Sequence, residues 1–414
     1  MKTKYRKKNK GNKTKNNRFN QKNTRKNRRV KHTRKYKNKR IKGGAAQVSL
    51  YNKQIMDQVH ESFTNACKTG DITKVKFLLE NIDKFGEGAS NIINKPETNG
   101  YTPLHLACYT GQFTVVEVLL GDERVEVNPI SQTASGHTPL HLACYARRFE
   151  VVKLLLTNER VEVNQVTTDN GSTPLLIACR IGDVKVVQLL INNDDTDVNQ
   201  AMTNDGMTPL FIACQNGHNE VVALLLSKYM TNVNQAAIDD GVTPLYMACQ
   251  KGHLEVVQLL LDGERVDVNQ ARDTGATPFF IACSKGHVEV VKLLLSDDRV
   301  DVNQATTDHG DIPLHAACRL RHMNIAIILL ENHRINRVVP IANDIPTYTI
   351  YEEALRDVKR RRNALFRGLV RFIIVFRAMR LRAAEKTYAP GGEGYKKAMA
   401  HFELAAAASG GETF

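Results

Sequence analysis

Tryptophan is absent from the 414 residues, and no Asp or Glu occurs among the first 42, which hold 21 Lys and Arg. Long apolar runs are missing as well: the greasiest segment, Phe372 to Phe376, is five residues long and flanked by Arg371 and Arg377. That is far short of the roughly 20 apolar residues a membrane-spanning helix needs, so no transmembrane span is expected. The charged opening Lys2, Lys4, Arg6, Lys7 and Lys8 is not followed by a signal-peptide apolar core, and export by that route is not expected. No Cys-x-x-Cys, no Gly-x-x-x-x-Gly-Lys phosphate loop, no His-Glu-x-x-His and no Gly-x-Ser-x-Gly occurs. The sequence therefore predicts no enzyme, no cofactor and no bound metal.

What is present is unevenly distributed. A composition of 42% hydrophobic and 24% charged residues is that of a folded protein in water. The formal charge of +15 resolves into a basic N-terminal tail, a central region 57–336 with 22 basic against 35 acidic residues, and a segment 351–387 with 11 basic against 4. The chain is basic at both ends and acidic between.

The eight cysteines fall at 67, 108, 144, 179, 214, 249, 283 and 318, a near-constant period close to 35. Aligning on them exposes one unit, seen in Thr102-Pro103-Leu104-His105-Leu106-Ala107-Cys108, in Thr138-Pro139-Leu140-His141-Leu142-Ala143-Cys144 and in Thr173-Pro174-Leu175-Leu176-Ile177-Ala178-Cys179. It continues at Thr208, Thr243 and Thr277 and ends at Ile312-Pro313-Leu314-His315-Ala316-Ala317-Cys318. Thr is a good N-cap, and Pro at the first helical position has no amide to leave unpaired, so a helix starts there. Leu104, Ala107 and Cys108, at i, i+3 and i+4, form one apolar stripe, and Gly111 closes the helix. A second apolar-paired segment follows, as in Val256-Val257-Gln258-Leu259-Leu260-Leu261, and then a turn marked by Asn99-Gly100, Asn170-Gly171, Asp205-Gly206 or Asp240-Gly241.

These residues resemble the ankyrin repeat, most closely from Asp239 through Gly241-Val242-Thr243-Pro244-Leu245 to Gly252-His253-Leu254-Glu255-Val256-Val257. The resemblance covers about residues 57–336 in eight units. It implies an all-α solenoid of helix pairs with β-hairpin fingers, an intracellular setting, and a protein-protein interaction scaffold with no chemistry of its own. The link after the second helix, as in Asp262 to Asn269, is two residues longer than the family's usual loop. The first unit lacks Thr-Pro-Leu and the last carries Arg319, Arg321 and His322, so both read as end caps. Equivalent cysteines on packed helices should lie about 8–10 Å apart, too far for disulfides, and are expected as small reduced core residues. The repeated histidines are expected to make structural hydrogen bonds.

The resemblance places partner recognition on the finger tips and the outward side of the first helix. The positions after the cysteines, Tyr109, Tyr145, Arg180, Gln215, Gln250 and Arg319, are candidates there, since Tyr and Arg commonly anchor interfaces. So are Phe211, Tyr246 and Phe280, two residues after each Pro, which either form a recognition stripe or stack unit on unit in place of His. The segment Gly86-Glu87-Gly88-Ala89-Ser90 lengthens the first link and reads as a floppy spacer or, since repeat insertions tend to lie on a single face, as part of a recognition face.

Residues 1–42 have too little apolar surface to fold and are expected to be disordered. Their clusters Arg25-Lys26-Asn27-Arg28-Arg29 and Arg34-Lys35-Tyr36-Lys37-Asn38-Lys39-Arg40 fit a nuclear import signal or an arm for nucleic acid, with the array as recruiting module; a solubilising arm is the other reading. Residues 43–56 and 337–350 read as linkers, 351–387 as a basic amphipathic helix and 388–414 as a short helix and tail. The helix at 351–387 suits packing on the last repeat or on a second copy, or else an acidic membrane or a calmodulin-like protein.

Overall fold

The computed structural model describes residues 53–85, 89–336 and 349–364. The basic clusters between Arg25 and Arg40, and the segments 365–387 and 388–414, lie outside the described residues. Two compact units divide between Asn204 and Asp205.

In the first unit, helix α1 occupies residues 53–69, starting four residues before the expected edge of the array. Then come α2 (Ile72–Asn81), α3 (Pro103–Thr110), α4 (Phe113–Leu120), α5 (Pro139–Tyr145), α6 (Phe149–Leu156), α7 (Pro174–Ile181) and α8 (Val184–Ile191). Such short helices are unstable alone and depend on their neighbours. Inner helices stack on inner helices, α3 on α5 and α5 on α7, while α2, α4, α6 and α8 form the outer layer. Thr102, Thr138 and Thr173 cap the inner helices by accepting the amides of His105, His141 and Leu176. The lengthened first link is not a floppy spacer at its ends: short 3-10 turns at Ile82–Phe85 and Ala89–Ile93 bury Ile82, Ile92 and Ile93.

The second unit repeats the plan with inner helices α9 (Pro209–Asn216), α11 (Pro244–Lys251), α13 (Pro278–Lys285) and α15 (Pro313–Arg319). Its outer helices are α10 (Asn219–Ser227), α12 (Leu254–Leu261), α14 (Val288–Ser296) and α16 (Met323–Glu331). Ile312 replaces the capping Thr at α15, and no side chain caps that helix. A last helix, α17, runs over 349–364, so two residues assigned to the linker are helical. It buries Tyr351, Ala354 and Val358 on one face, and Arg361 pairs with Glu331 at the end of α16 at 3.8 Å.

All eight cysteines are buried and none is in a disulfide. Burial pushes the Cys67 and Cys318 thiols up to about 12, and those of Cys108, Cys144, Cys214, Cys249 and Cys283 upward as well. Among the described residues there is no β-strand, which corrects the expectation of β-hairpin fingers. The fingers are turns closed by one or two backbone bonds, such as Thr167 N–H to the Ser172 carbonyl with Gly171 N–H to the Thr167 carbonyl, or Ala237 N–H to the Val242 carbonyl. The remaining hydrogen-bonding groups are used between fingers: Gln132 N–H donates to Gly100 O and Thr168 N–H to Ser135 O, and in the second unit Asp273 N–H donates to Asp240 O.

The links are tied in both directions. Asn94 donates to the Arg124 carbonyl at 2.8 Å while its side-chain oxygen accepts the Glu126 N–H at 2.9 Å, and Asn128 does the same for Arg160 and Glu162. Asn234 and Asn269 repeat the clasp in the second unit. Running the other way, Arg124 and Arg160 donate to the Leu79 and Leu120 carbonyls, satisfying the ends of α2 and α4. Arg265 and Arg334 serve the ends of α10 and α14 likewise.

Candidate functional site

The inner helices expose one side-chain position directly after each buried cysteine. In the first unit it holds Lys68, Tyr109, Tyr145 and Arg180, all exposed, with Tyr109 at 46% and Tyr145 at 57%. In the second it holds Gln215, Gln250 and Ser284, half-buried, and the exposed Arg319, which pairs with Asp311. The carbonyls of Gln215, Gln250 and Ser284 accept from the Nε2 of His253, His287 and His322. These histidines are tie-bars from one repeat to the next. Gln112 and Arg148 hold the same place in the first unit, reaching the Lys68 and Tyr109 carbonyls.

Phe211, Tyr246 and Phe280 are 1%, 1% and 8% exposed, which corrects their placement on a recognition stripe and leaves the stacking reading. They stand at the third residue of the helix, where the backbone N–H donates to the capping Thr and the side chain turns into the stack. Burial raises the pKa of the Tyr246 phenol against the opposing pull of Arg272. At the equivalent position in the first unit, His105 and His141 are fully buried. Their Nδ1 atoms accept from the N–H of Thr102 and Thr138, and their Nε2 atoms bond the carbonyls of His137 and Ser172 at 2.8 and 2.9 Å. That pattern requires neutral imidazole with the proton on Nε2, and burial lowers both pKa values to about 4.

These ties hold open a groove of about 570 Å³ in the first unit. Leu106 and Leu142, 7% and 6% exposed, form its floor. Tyr109 and Tyr145 line it from the helix side with Lys68, and Tyr101 and His137 from the fingers. Burial lowers the pKa of His137, so this wall is uncharged near neutrality.

Arg147 follows Tyr145 by two residues and has φ of +57°. The neighbouring repeats close the same helix end with Gly111 and Gly182 in this left-handed region, where a side chain costs about 1 kcal/mol or more. Sequence reasoning missed Lys68, Tyr101, His137, Arg147 and Arg148. The signal for Arg147 was present in the alignment, where Arg interrupts a column of Gly; Lys68 was hidden because the first unit lacks Thr-Pro-Leu.

A family model described as Ankyrin repeats (3 copies) matches in overlapping windows that run from 63–167 to 264–339. The chain belongs to the ankyrin-repeat family. Among solved structures, the ankyrin array is similar to the crystal structure of the ankyrin repeat domain of Bcl-3, titled a unique member of the IkappaB protein family. The identity is 26%, over 55% of this chain and 98% of that one, with a TM-score of 0.49. No curated protein matches the chain. Within the array, no His, Cys, Asp and Glu cluster able to hold a metal ion occurs among the described residues, and no described helix is long and apolar enough to cross a membrane.

Proposed function

We propose that this ankyrin chain is a protein-binding scaffold whose partner is gripped by the exposed residues that follow the buried cysteines. Ankyrin repeats generally mediate protein-protein interaction. In the first unit the gripping residues are Tyr109, Tyr145 and Arg180; in the second, Gln215, Gln250 and Arg319 occupy the same position. One observation carries the reading: two large aromatic side chains stand half out in water, one repeat apart, over an apolar floor. Rigid amphipathic tyrosines above a desolvated base are the arrangement that most often concentrates binding energy.

Replacing Tyr109 and Tyr145 together by Ala tests it. Capture of the partner from the native cell should fall by an order of magnitude or more, while the thermal unfolding curve stays in place. Undiminished capture refutes the assignment.

A second reading concerns the tail, where 21 basic and no acidic residues favour attraction to phosphate or nuclear import. Comparing nucleic-acid retention by the full chain and by a chain starting at Gly43, across a salt series, tests it. Equal retention by both would end that reading.

A further inference from the structure

The outer helices of the second unit repeat a pair of residues one turn apart: Glu220 and Leu224 on α10, Glu255 and Leu259 on α12, Glu289 and Leu293 on α14, with Asn324 and Ile328 on α16. The glutamates are exposed and the four apolar side chains half-buried. Residues four apart share a helix face, so an apolar stripe crosses the helices beside a row of carboxylates. At the places of the glutamates the first unit has Thr114, Glu150 and Lys185, which is no row of one sign. Between α12 and α14 the stripe opens into a groove of about 660 Å³ lined by Leu254, Leu259 and Leu293. Lys292, its one basic residue, is paired with Glu289 at 2.8 Å, which leaves Glu255 uncompensated in the lining. The imbalance extends beyond the groove. Over residues 205–336 the outer helices and links hold 10 acidic and 5 basic residues, the inner helices and fingers 6 and 5.

A match for this face exists in the same chain. Residues 365–387 hold six basic residues and one acidic, and Leu365, Leu369, Phe372, Phe376 and Met379 recur at the spacing of one helix face. The point of departure suits it too. Helix α17 runs to residue 364, and Arg361 in its last turn meets Glu331 at the end of the outer helix α16. A helix over 365–387 would be about 34 Å long, and four outer helices packed at about 8–10 Å extend over roughly 24–30 Å.

We propose that residues 365–387 turn back along the outer face of the second unit as a helix. Leu369, Phe372 and Phe376 lie on the stripe of Leu293, Leu259 and Leu224, and the arginines beside them meet Glu255 and Glu220. Because the segment is tethered, its local concentration is about millimolar, and modest affinity keeps it seated. Docked there, it covers the outer helices and leaves the inner-helix column of Gln250 and Arg319 open.

The test uses the full chain. With Phe372 replaced by the photoreactive p-benzoylphenylalanine, irradiation should join residue 372 to α12 or α14 of the same chain, at monomer mass. Replacing Glu220 and Glu255 together by Gln should lower the yield of that cross-link about 2-fold. Acetylation measures occupancy independently. Lys292 should react about 3- to 10-fold faster when Phe372→Asp and Phe376→Asp are introduced together, because the apolar contacts that seat the segment are gone. Lys251 and Lys285, at the ends of inner helices, should react at the same rate in both chains.

Residue 372 joined to a second copy, joined elsewhere on its own chain, or joined to nothing overturns the proposal. So does a Lys292 rate that the double Asp variant leaves unchanged. A yield indifferent to the loss of Glu220 and Glu255 overturns it as well, since charge is what selects this face for this segment.

Discussion

The two units use the same backbone and place their aromatic residues on opposite sides of it. In α3 and α5 of the first unit the third position of the inner helix is a buried histidine, and the aromatic side chains Tyr109 and Tyr145 stand outside. In the second unit Phe211, Tyr246 and Phe280 fill the interior, and the outer position falls to Gln215, Gln250 and Ser284. The first arrangement leaves a polar, fully bonded interior and an adhesive surface; the second puts aromatic area into cohesion. A repeat scaffold thus separates two uses of one residue type by a shift of only a few positions along one short helix.

The largest expected effect comes from attacking the buried aromatics. Phe211→Ala removes a side chain that is 1% exposed and should destabilise the array by about 3–5 kcal/mol. Tyr145→Ala, removing a side chain of similar size from the surface, should stay within about 0.5 kcal/mol. Urea titration of both variants checks this, and comparable losses would erase the contrast.

Acid is the second probe, because only the first unit has the pair of buried neutral histidines with pKa values of about 4. The unfolded chain takes up protons near pH 6.5 that the folded chain refuses until about 4. Stability should therefore fall as pH drops through that window and level off below it. Each histidine should contribute a few kcal/mol to the total fall. Hydrogen exchange at pH 7 and pH 5 should show amides of α3 and α5 losing protection before those of α11 and α13. His141→Leu, which imitates Leu176 at the equivalent place, should flatten part of the slope.

The smallest effect concerns α15, which lacks the side-chain cap that α3, α5, α7, α9, α11 and α13 have. Giving α15 the cap its neighbours have, by Ile312→Thr, should raise stability by about 0.5–1 kcal/mol, read as an increased urea midpoint. No gain would mean that the last repeat is not limiting in unfolding.

Much of the fold was legible because its determinants are local. Thr-Pro at a helix start, Gly at its end and a small Cys on the packed face act within a few residues, and the structure repeats them as the sequence does. The fingers were over-read: Asn-Gly and Asp-Gly announce tight turns, but whether a ladder follows depends on neighbours thirty residues away, and here the bonds run between fingers. The candidate site was half legible. The column after each cysteine could be written down from spacing alone. Burial of Phe211, Tyr246 and Phe280 could not, since the same column holds His in the first unit, and the choice between stacking and display is made by the adjacent repeat. Arg147 and Arg321 stand out already in the sequence, as the two arginines in a column otherwise held by Gly, and both take positive φ.

The asparagine clasps give the array a direction. Asn94, Asn128, Asn234 and Asn269 each hold the link that comes after them, and the link arginines reach only backward. A segment copied in tandem within such a chain arrives with both halves of its joint already made, one for the neighbour ahead and one for the neighbour behind. Lengthening by duplication therefore asks for no new invention at the seam, and the units are free to diverge where Tyr109 and Gln250 already differ.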